Sequence, residues 1–242
     1  MKNESVDITL ALPTYNEESN IHKVLADSVM SLTKIGRTWE IIVIDNHSND
    51  QTAQRVKEYM QIESRVHLVV HDENRYYSGS CATAMIESNG KYTAIMDSDG
   101  QHTADDLVKF IEKLEKGSNL VFGWRRKRND PKMRLLVSSI FNFLGKAWLK
   151  YPLHDLNCGI RMFDRRFISV AQNKYKINMA NPEMFVRAKL AGLIIDECEV
   201  LHSSRLGGVT SHNFLKSYYI FKAVNNYFKS LNKELSKNKL KK

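Results

Sequence analysis

The side chains most able to do chemistry gather in three places, each directly after a short apolar run. In the stretch 92–102, YTAIMDSDGQH, the apolar residues Ala94, Ile95 and Met96 give way to Asp97, Ser98, Asp99 and Gln101. Two carboxylates one residue apart, followed by a glycine and an amide, are poor core material, because a buried charge is costly unless a cation or hydrogen-bond donors meet it. An all-oxygen donor set suits Mg²⁺ or Mn²⁺, which typically take one or two carboxylates and further ligands from substrate phosphates. The plain alternative is an Asp-rich turn bent at Gly100, and an Asp-x-Asp by itself is a weak signal. The other two places strengthen it. Residues 40–45 (EIIVID) run into Asp45-Asn46-His47-Ser48-Asn49-Asp50-Gln51-Thr52, and the run 8–12, closed by Pro13, leads into Thr14-Tyr15-Asn16-Glu17-Glu18.

The elements that position these groups follow from hydrophobic periodicity. Runs at 8–12, 40–45, 66–70 and 92–97 have the length and apolarity of buried strands. Between them, Ile21, Val24, Leu25, Val29 and Leu32 recur at helical spacing. Further helices are predicted to about Met60, over 78–89, and around Leu107, Phe110, Ile111 and Leu114. Strands alternating with helices imply a largely parallel sheet built by right-handed crossovers. Ligands of such sheets bind outside the carboxyl ends of the strands. Glu17, Asp45, Asp97 and Asp99 all belong to those ends, so four acidic groups from three strands are expected on one rim. Asp50 and Asp105 read more simply as helix N-caps.

Composition bounds the partners. The 242 residues carry a formal net charge of +9, with 43% hydrophobic residues, enough for one substantial core. The charge is uneven: residues 214–242 hold eight lysines against Glu234, so this stretch carries +7 and the body is close to neutral. That argues against nucleic acid as a partner and for a basic terminal segment meeting an anionic surface. Cys81, Cys158 and Cys198 lie in no metal-ligand spacing and are expected to be reduced, as in a cytosolic protein. The N-terminal segment is too polar for a signal peptide, and no apolar stretch approaches the ~20 residues of a spanning helix. A soluble or peripheral protein is expected.

Two later segments bear on attachment. Residues 132–150 place Met133, Leu136, Val137, Ile140, Phe141, Leu144 and Trp148 on a wide apolar face with basic residues at both ends. This is either a core helix or an interfacial one. The stripe Phe214, Tyr218, Phe221, Val224, Phe228, Leu231 and Leu235 steps by fours and threes with lysines opposite, the pattern of a basic amphipathic helix. An anionic membrane surface would take that stripe, and docking on the domain would explain it equally well.

The motifs in order resemble a known family. Pro13-Thr14-Tyr15-Asn16-Glu17, the strand ending at Asp45, and Asp97-Ser98-Asp99-Gly100-Gln101 are similar to the three opening motifs of family 2 glycosyltransferases with the GT-A fold. The resemblance continues through Phe122-Gly123-Trp124-Arg125, Asp155-Leu156-Asn157-Cys158-Gly159-Ile160-Arg161, and Glu199-Val200 ahead of Arg205, Gly207 and Ser211. It covers about residues 8–212 and is nearest to the dolichyl-phosphate mannosyltransferase and polyprenyl-phosphate glycosyltransferase branch. The implied fold is α/β, a mostly parallel mixed sheet flanked by helices, with a catalytic domain over 1–212 and a basic amphipathic helix over 213–242. By the resemblance, Pro13, Tyr15, Glu17, Val43, Asp45 and Ser98 hold the donor nucleotide. Asp97, Asp99 and Gln101 bind Mg²⁺ or Mn²⁺ on its diphosphate, and Arg125, Arg161 and Arg205 meet phosphates. One departure stands out: where relatives carry a Gly-rich Asn-x-Gly pattern, this chain reads Asn74-Arg75-Tyr76-Tyr77-Ser78-Gly79-Ser80, so the sugar is not carried over.

The activity so implied is inverting transfer of a sugar from a GDP- or UDP-sugar to a polyprenyl phosphate, by a peripheral enzyme at the cytosolic membrane face. A phosphate acceptor with a second pKa near ~6 is mostly ionised at neutral pH and needs no general base. A hydroxyl acceptor on a glycan would need one, and Asp155 and Glu183 are the candidates. Glu183 also reads as a helix N-terminal carboxylate. Two other classes remain: a nucleotidyltransferase making the activated sugar, although no Gly-rich phosphate loop follows the first strand, and a non-catalytic membrane-binding module.

Overall fold

The computed structural model describes residues 5–127, 132–171, 179–204 and 217–239. The first half alternates strand and helix: β1 (Ile8–Thr14), α1 (Ile21–Ile35), β2 (Trp39–Asp45), α2 (Thr52–Met60), β3 (Val66–Val70), α3 (Tyr76–Glu87) and β4 (Tyr92–Met96). A 3-10 turn (Ala104–Asp106) leads into α4 (Leu107–Glu115) and β5 (Leu120–Trp124). The second half holds α5 (Lys132–Leu149), β6 (Ile160–Asp164), α6 (Arg165–Val170), α7 (Ala180–Leu190), β7 (Ile195–Glu199) and α8 (Ser217–Lys239).

Seven strands form one sheet in the order β3-β2-β1-β4-β6-β5-β7. β1 pairs in parallel with both β2 and β4, and β5 with β7. β6 runs antiparallel to both β4 and β5, which makes the sheet mixed. The strand order reverses between β1 and β4, and such a switch point opens a crevice at the carboxyl ends. Both faces are covered, which is why β1, β2 and β4 are buried along their whole length. One face, with Leu10, Ile41 and Val43, packs on α1, α2 and α4. The other, with Ala11, Ile44, Ile95 and Phe122, packs on α3, α7 and the end of the chain.

Pro13 is accommodated inside this sheet because the pairing of β1 with β4 runs only from Ile8 to Ala11, so its missing N–H falls beyond that ladder. Val43, expected beside a nucleotide, has its side chain fully buried in the core, two residues before the strand end. The core keeps it because it is apolar and shares the inward face with Ile41.

The C-terminal helix docks on the domain. Phe228, Leu231 and Leu235 of α8 are buried, and Phe228 meets Phe141 of α5 edge-on with ring centroids 5.2 Å apart. A Cβ at Gly145 would lie 2.8 Å from the Tyr151 ring, so the glycine lets the segments approach closely. Trp148 Nε1 donates to Asn225 Oδ1 at 2.9 Å, and Arg187 of α7 is bonded to Glu234. Val224, Phe228, Leu231 and Leu235 of the predicted apolar stripe thus pack on the protein, whereas Phe214 and the side chains of Tyr218 and Phe221 lie outside what is described. Among the described residues, α5 leaves Leu136, Val137, Ile140 and Phe143 exposed along its outer side. Among the described residues no helix is long and apolar enough to cross a membrane.

Candidate active site

The loops after β1 and β2 are laced together by reciprocal bonds. Asn16 N donates to Ser48 Oγ and Asn49 N to Asn16 Oδ1, each at 2.9 Å. Glu17 N donates to Thr52 Oγ1 at 2.9 Å, and Gln51 N to Glu18 Oε2 at 2.8 Å. Asp50 accepts from Thr52 N at 3.0 Å one residue before the N-cap of α2, which is Gln51 and not the Asp50 expected there. Asn16 and His47 adopt left-handed backbone conformations, φ 54° and 66°, at the ends of these two strands. Non-glycine residues held there store strain and tend to cluster at functional sites. The rim is thus built before any ligand arrives.

Within it, Asp45 is almost fully buried, and its Oδ1 accepts from the amide and hydroxyl of Ser48. Glu17 is also buried and accepts from Asn20 Nδ2 at 2.6 Å. Tyr15 is exposed beside them, and Pro13 O accepts from Ser98 Oγ at 3.0 Å, tying the end of β4 to the end of β1. Asn46 escaped the sequence reading. It accepts from Arg75 N, donates to Asn74 Oδ1 and bonds His71 Nδ1, while His71 Nε2 meets Thr83 Oγ1. Burial, with help from the Arg75 charge, pushes the His71 imidazole below its ordinary pKa, so it stays neutral in this network.

Asp97 and Asp99 are half-buried on the loop after β4, open on one side. Asp97 N donates to Gly159 O at 3.0 Å, and Asp97 Oδ1 accepts from Tyr77 Oη at 2.8 Å. Its other oxygen lies where only a glycine fits opposite: a Cβ at Gly159 would be 2.2 Å from Asp97 Oδ2. Asp99 Oδ1 accepts from Gln101 N at 3.1 Å, across Gly100 in a left-handed conformation. Gln101 exchanges bonds with Ser203, through Ser203 N to its carbonyl at 2.9 Å and from its Nε2 to Ser203 O at 3.4 Å. The three expected metal ligands therefore share one short, anchored loop at the switch point. Their donors are hard oxygens, which fits Mg²⁺ or Mn²⁺. Among the described residues no three or more His, Cys, Asp or Glu side chains are grouped to hold a metal alone, so such an ion would need ligands from a substrate diphosphate.

The arginines and candidate bases fare differently. Arg125 forms a buried bidentate pair with Asp155, Nε to Oδ2 at 2.7 Å and Nη2 to Oδ1 at 3.1 Å, and also donates to Asn157 O. This pair lies beside the metal-motif loop, for the charges of Arg125, Asp99 and Asp155 all act on His102. Burial first, then Arg125 and His202, push His102 down to about 4, so the ring is neutral. Arg161, expected to meet a phosphate, is fully buried here, donating to Tyr77 Oη at 2.8 Å and Cys81 Sγ at 3.0 Å. Glu183 sits away from that pair. It is buried under α8, accepting from Tyr227 Oη at 2.6 Å and Arg187 Nη2 at 3.3 Å, so it joins helices instead of facing the rim. Arg205 lies outside the described residues, as do Gly207 and Ser211.

Known proteins bear on this geometry. The description Glycosyl transferase family 2 matches residues 9–170. Undecaprenyl-phosphate 4-deoxy-4-formamido-L-arabinose transferase of Pectobacterium atrosepticum is 25% identical over 215 residues, 87% of this chain and 64% of its own length. Dodecaprenyl-phosphate galacturonate synthase of Rhizobium johnstonii is 25% identical over 90% of this chain and 65% of its own. The chain thus spans slightly under two thirds of these curated relatives. A mannosyltransferase from Pyrobaculum calidifontis, solved with GDP-Man and Mn²⁺, superposes with a TM-score of 0.63 at 19% identity, covering 91% of this chain and 62% of that one. Glucosyl-3-phosphoglycerate synthase from Mycobacterium tuberculosis, solved with Mn²⁺, UDP and phosphoglyceric acid, gives 0.70 at 15% identity, covering 94% and 78%. The architecture is the GT-A fold, and by the extent of the match the chain belongs to glycosyl transferase family 2.

Proposed function

We propose that the protein transfers a sugar from a nucleotide-sugar donor to a polyprenyl phosphate, with a divalent ion held by Asp97, Asp99 and Gln101. The observation that carries this reading is the placement of that anchored, half-open carboxylate loop at the β1/β4 switch point, beside Asp45 and Glu17. Asp45 and Glu17 can accept hydrogen bonds from a base or ribose, and Tyr15 offers an exposed ring next to them. The ion, when bound, offsets charge on the departing nucleoside diphosphate as a Lewis acid.

The residues around the loop favour a phosphate acceptor over a hydroxyl. Asp155 is committed on both oxygens to Arg125, and Glu183 is covered by α8. No candidate base from the sequence faces the rim unpaired, and an ionised phosphate needs none. Relatives named for undecaprenyl and dodecaprenyl phosphate support the same choice. The surface that would bring the site to a lipid-linked acceptor is the outer side of α5, where Phe143 is 71% exposed and Lys146 and Lys150 follow at the helix end. Apolar residues flanked by lysines suit the interface of an anionic, cytosolic leaflet.

A panel of GDP- and UDP-sugars, each with Mn²⁺ or with chelator, tests the donor reading by thermal melting. The cognate donor at about 100-fold its Kd is expected to raise Tm by ~5–10 °C, only with the metal and not in Asp99→Ala. A metal-independent shift, or an undiminished one in folded Asp99→Ala, would remove the basis for the assignment.

A further inference from the structure

Arg161 heads the fully buried side chains of this protein, yet among the described residues no carboxylate pairs with it directly. Its Nε and Nη1 are buried with no hydrogen-bond partner. A buried guanidinium is expensive to hold without a counter-charge, so its partners carry information. Nη2 donates to Tyr77 Oη, and the Tyr77 ring lies beside the guanidinium at 5.3 Å. An arginine can only donate, so the phenol oxygen receives that bond and its own proton is free to point elsewhere. It points to Asp97 Oδ1, 2.8 Å away. The counter-charge of Arg161 is thus one phenol removed, and it is the first carboxylate of the metal-binding loop.

The backbone supports this relay on both sides. Arg161 stands on β6 opposite Ile95 of β4, two residues below Asp97, so the guanidinium comes up from beneath the loop. Tyr77 is delivered by the irregular start of α3. Tyr76 takes a left-handed φ of 58° with its amide bonded to Asn74 Oδ1, and Tyr76 is exposed where Tyr77 turns inward. Asp97 is then fixed at both oxygens, Oδ1 by the phenol and Oδ2 against the bare Cα of Gly159.

We propose that Tyr77, backed by the Arg161 charge, is the positioning residue of Asp97, and that this relay sets the affinity of the site for its divalent ion. The inference rests on the reading that Asp97 is a metal ligand. Partners that orient a metal-binding side chain commonly change metal affinity 10–100-fold when removed, because the ligand then samples other rotamers. Tyr77→Phe removes one oxygen and keeps the ring, so the packing against Arg161 is retained.

The test is Mn²⁺ binding, read by electron paramagnetic resonance with UDP and in parallel with GDP, on wild type, Tyr77→Phe, Arg161→Met and Asp99→Ala. Melting in chelator reports folding independently. The expected result is a Kd for Mn²⁺ raised about 10-fold or more in Tyr77→Phe at unchanged chelator Tm, with a smaller rise in Arg161→Met and loss of binding in Asp99→Ala. If Tyr77→Phe does not fold, a raised Kd in folded Arg161→Met still supports the relay and an unchanged one overturns it. If folded Tyr77→Phe binds Mn²⁺ as wild type does while Asp99→Ala does not, the relay is wrong and the metal site stands. If wild type itself binds no Mn²⁺ with either nucleotide, the functional reading fails and takes the relay with it.

Discussion

At the scale of the residue, what makes Asp97 usable is the exclusion of alternatives to its rotamer. Gly159 contributes by having no side chain. Adding a methyl group there would place a carbon 2.2 Å from Asp97 Oδ2, a contact that forces the carboxylate or β6 to move. Gly159→Ala is expected to cost about 1–3 kcal/mol of stability, as overpacking does, and to weaken Mn²⁺ binding at least about 10-fold, checked by chemical denaturation and by metal titration. The acidic loop itself was legible in the sequence because charge at the end of an apolar strand has few uses. Its supports were not. Tyr77 stood out only as a departure from a glycine-rich pattern, and Arg161 read as a phosphate contact, because nothing local says that β6 slots beside β4 and turns its arginine toward α3. Val43, two residues before the rim, has its side chain in the core.

At the scale of the element, the first four strands and the helices between them were readable from periodicity, since each buried strand is short, apolar and bounded by polar loops. The antiparallel β6 was hidden, because strand direction depends on tertiary pairing and not on composition. The amphipathic C-terminal helix was readable as a helix, and its described apolar residues pack against α5 and α7. Two substitutions separate these roles. Phe228→Ala empties a fully buried site and is expected to destabilise by about 3–5 kcal/mol, measured by denaturant unfolding. Phe143→Glu, on the exposed side of α5, should leave stability within about 0.5 kcal/mol and reduce co-sedimentation with anionic vesicles. Equal vesicle binding by both proteins would move the lipid-facing surface away from α5.

At the scale of the whole molecule, the sheet divides the labour. Strands β1 and β2 present the laced loops with Glu17 and Asp45, β4 presents the acidic loop with Asp97 and Asp99, and β5 and β6 bring Arg125 and Gly159 up to it. Gln101 is bonded to Ser203, so the acidic loop is joined to the segment that precedes Arg205 in the sequence. In the proposed reaction this arrangement moves a sugar onto a lipid phosphate by way of a divalent ion. The most direct measurement supplies the stabilising nucleotide sugar, labelled in the sugar, together with polyprenyl phosphate in anionic vesicles, and counts label in the lipid fraction with Mn²⁺, with chelator and with Asp99→Ala. Label is expected in a lipid-linked, acid-labile product with Mn²⁺ alone, falling to background with chelator or in the folded variant. Equal lipid labelling in all three arms, or none with any donor while the same protein glycosylates a free hydroxyl, would contradict it.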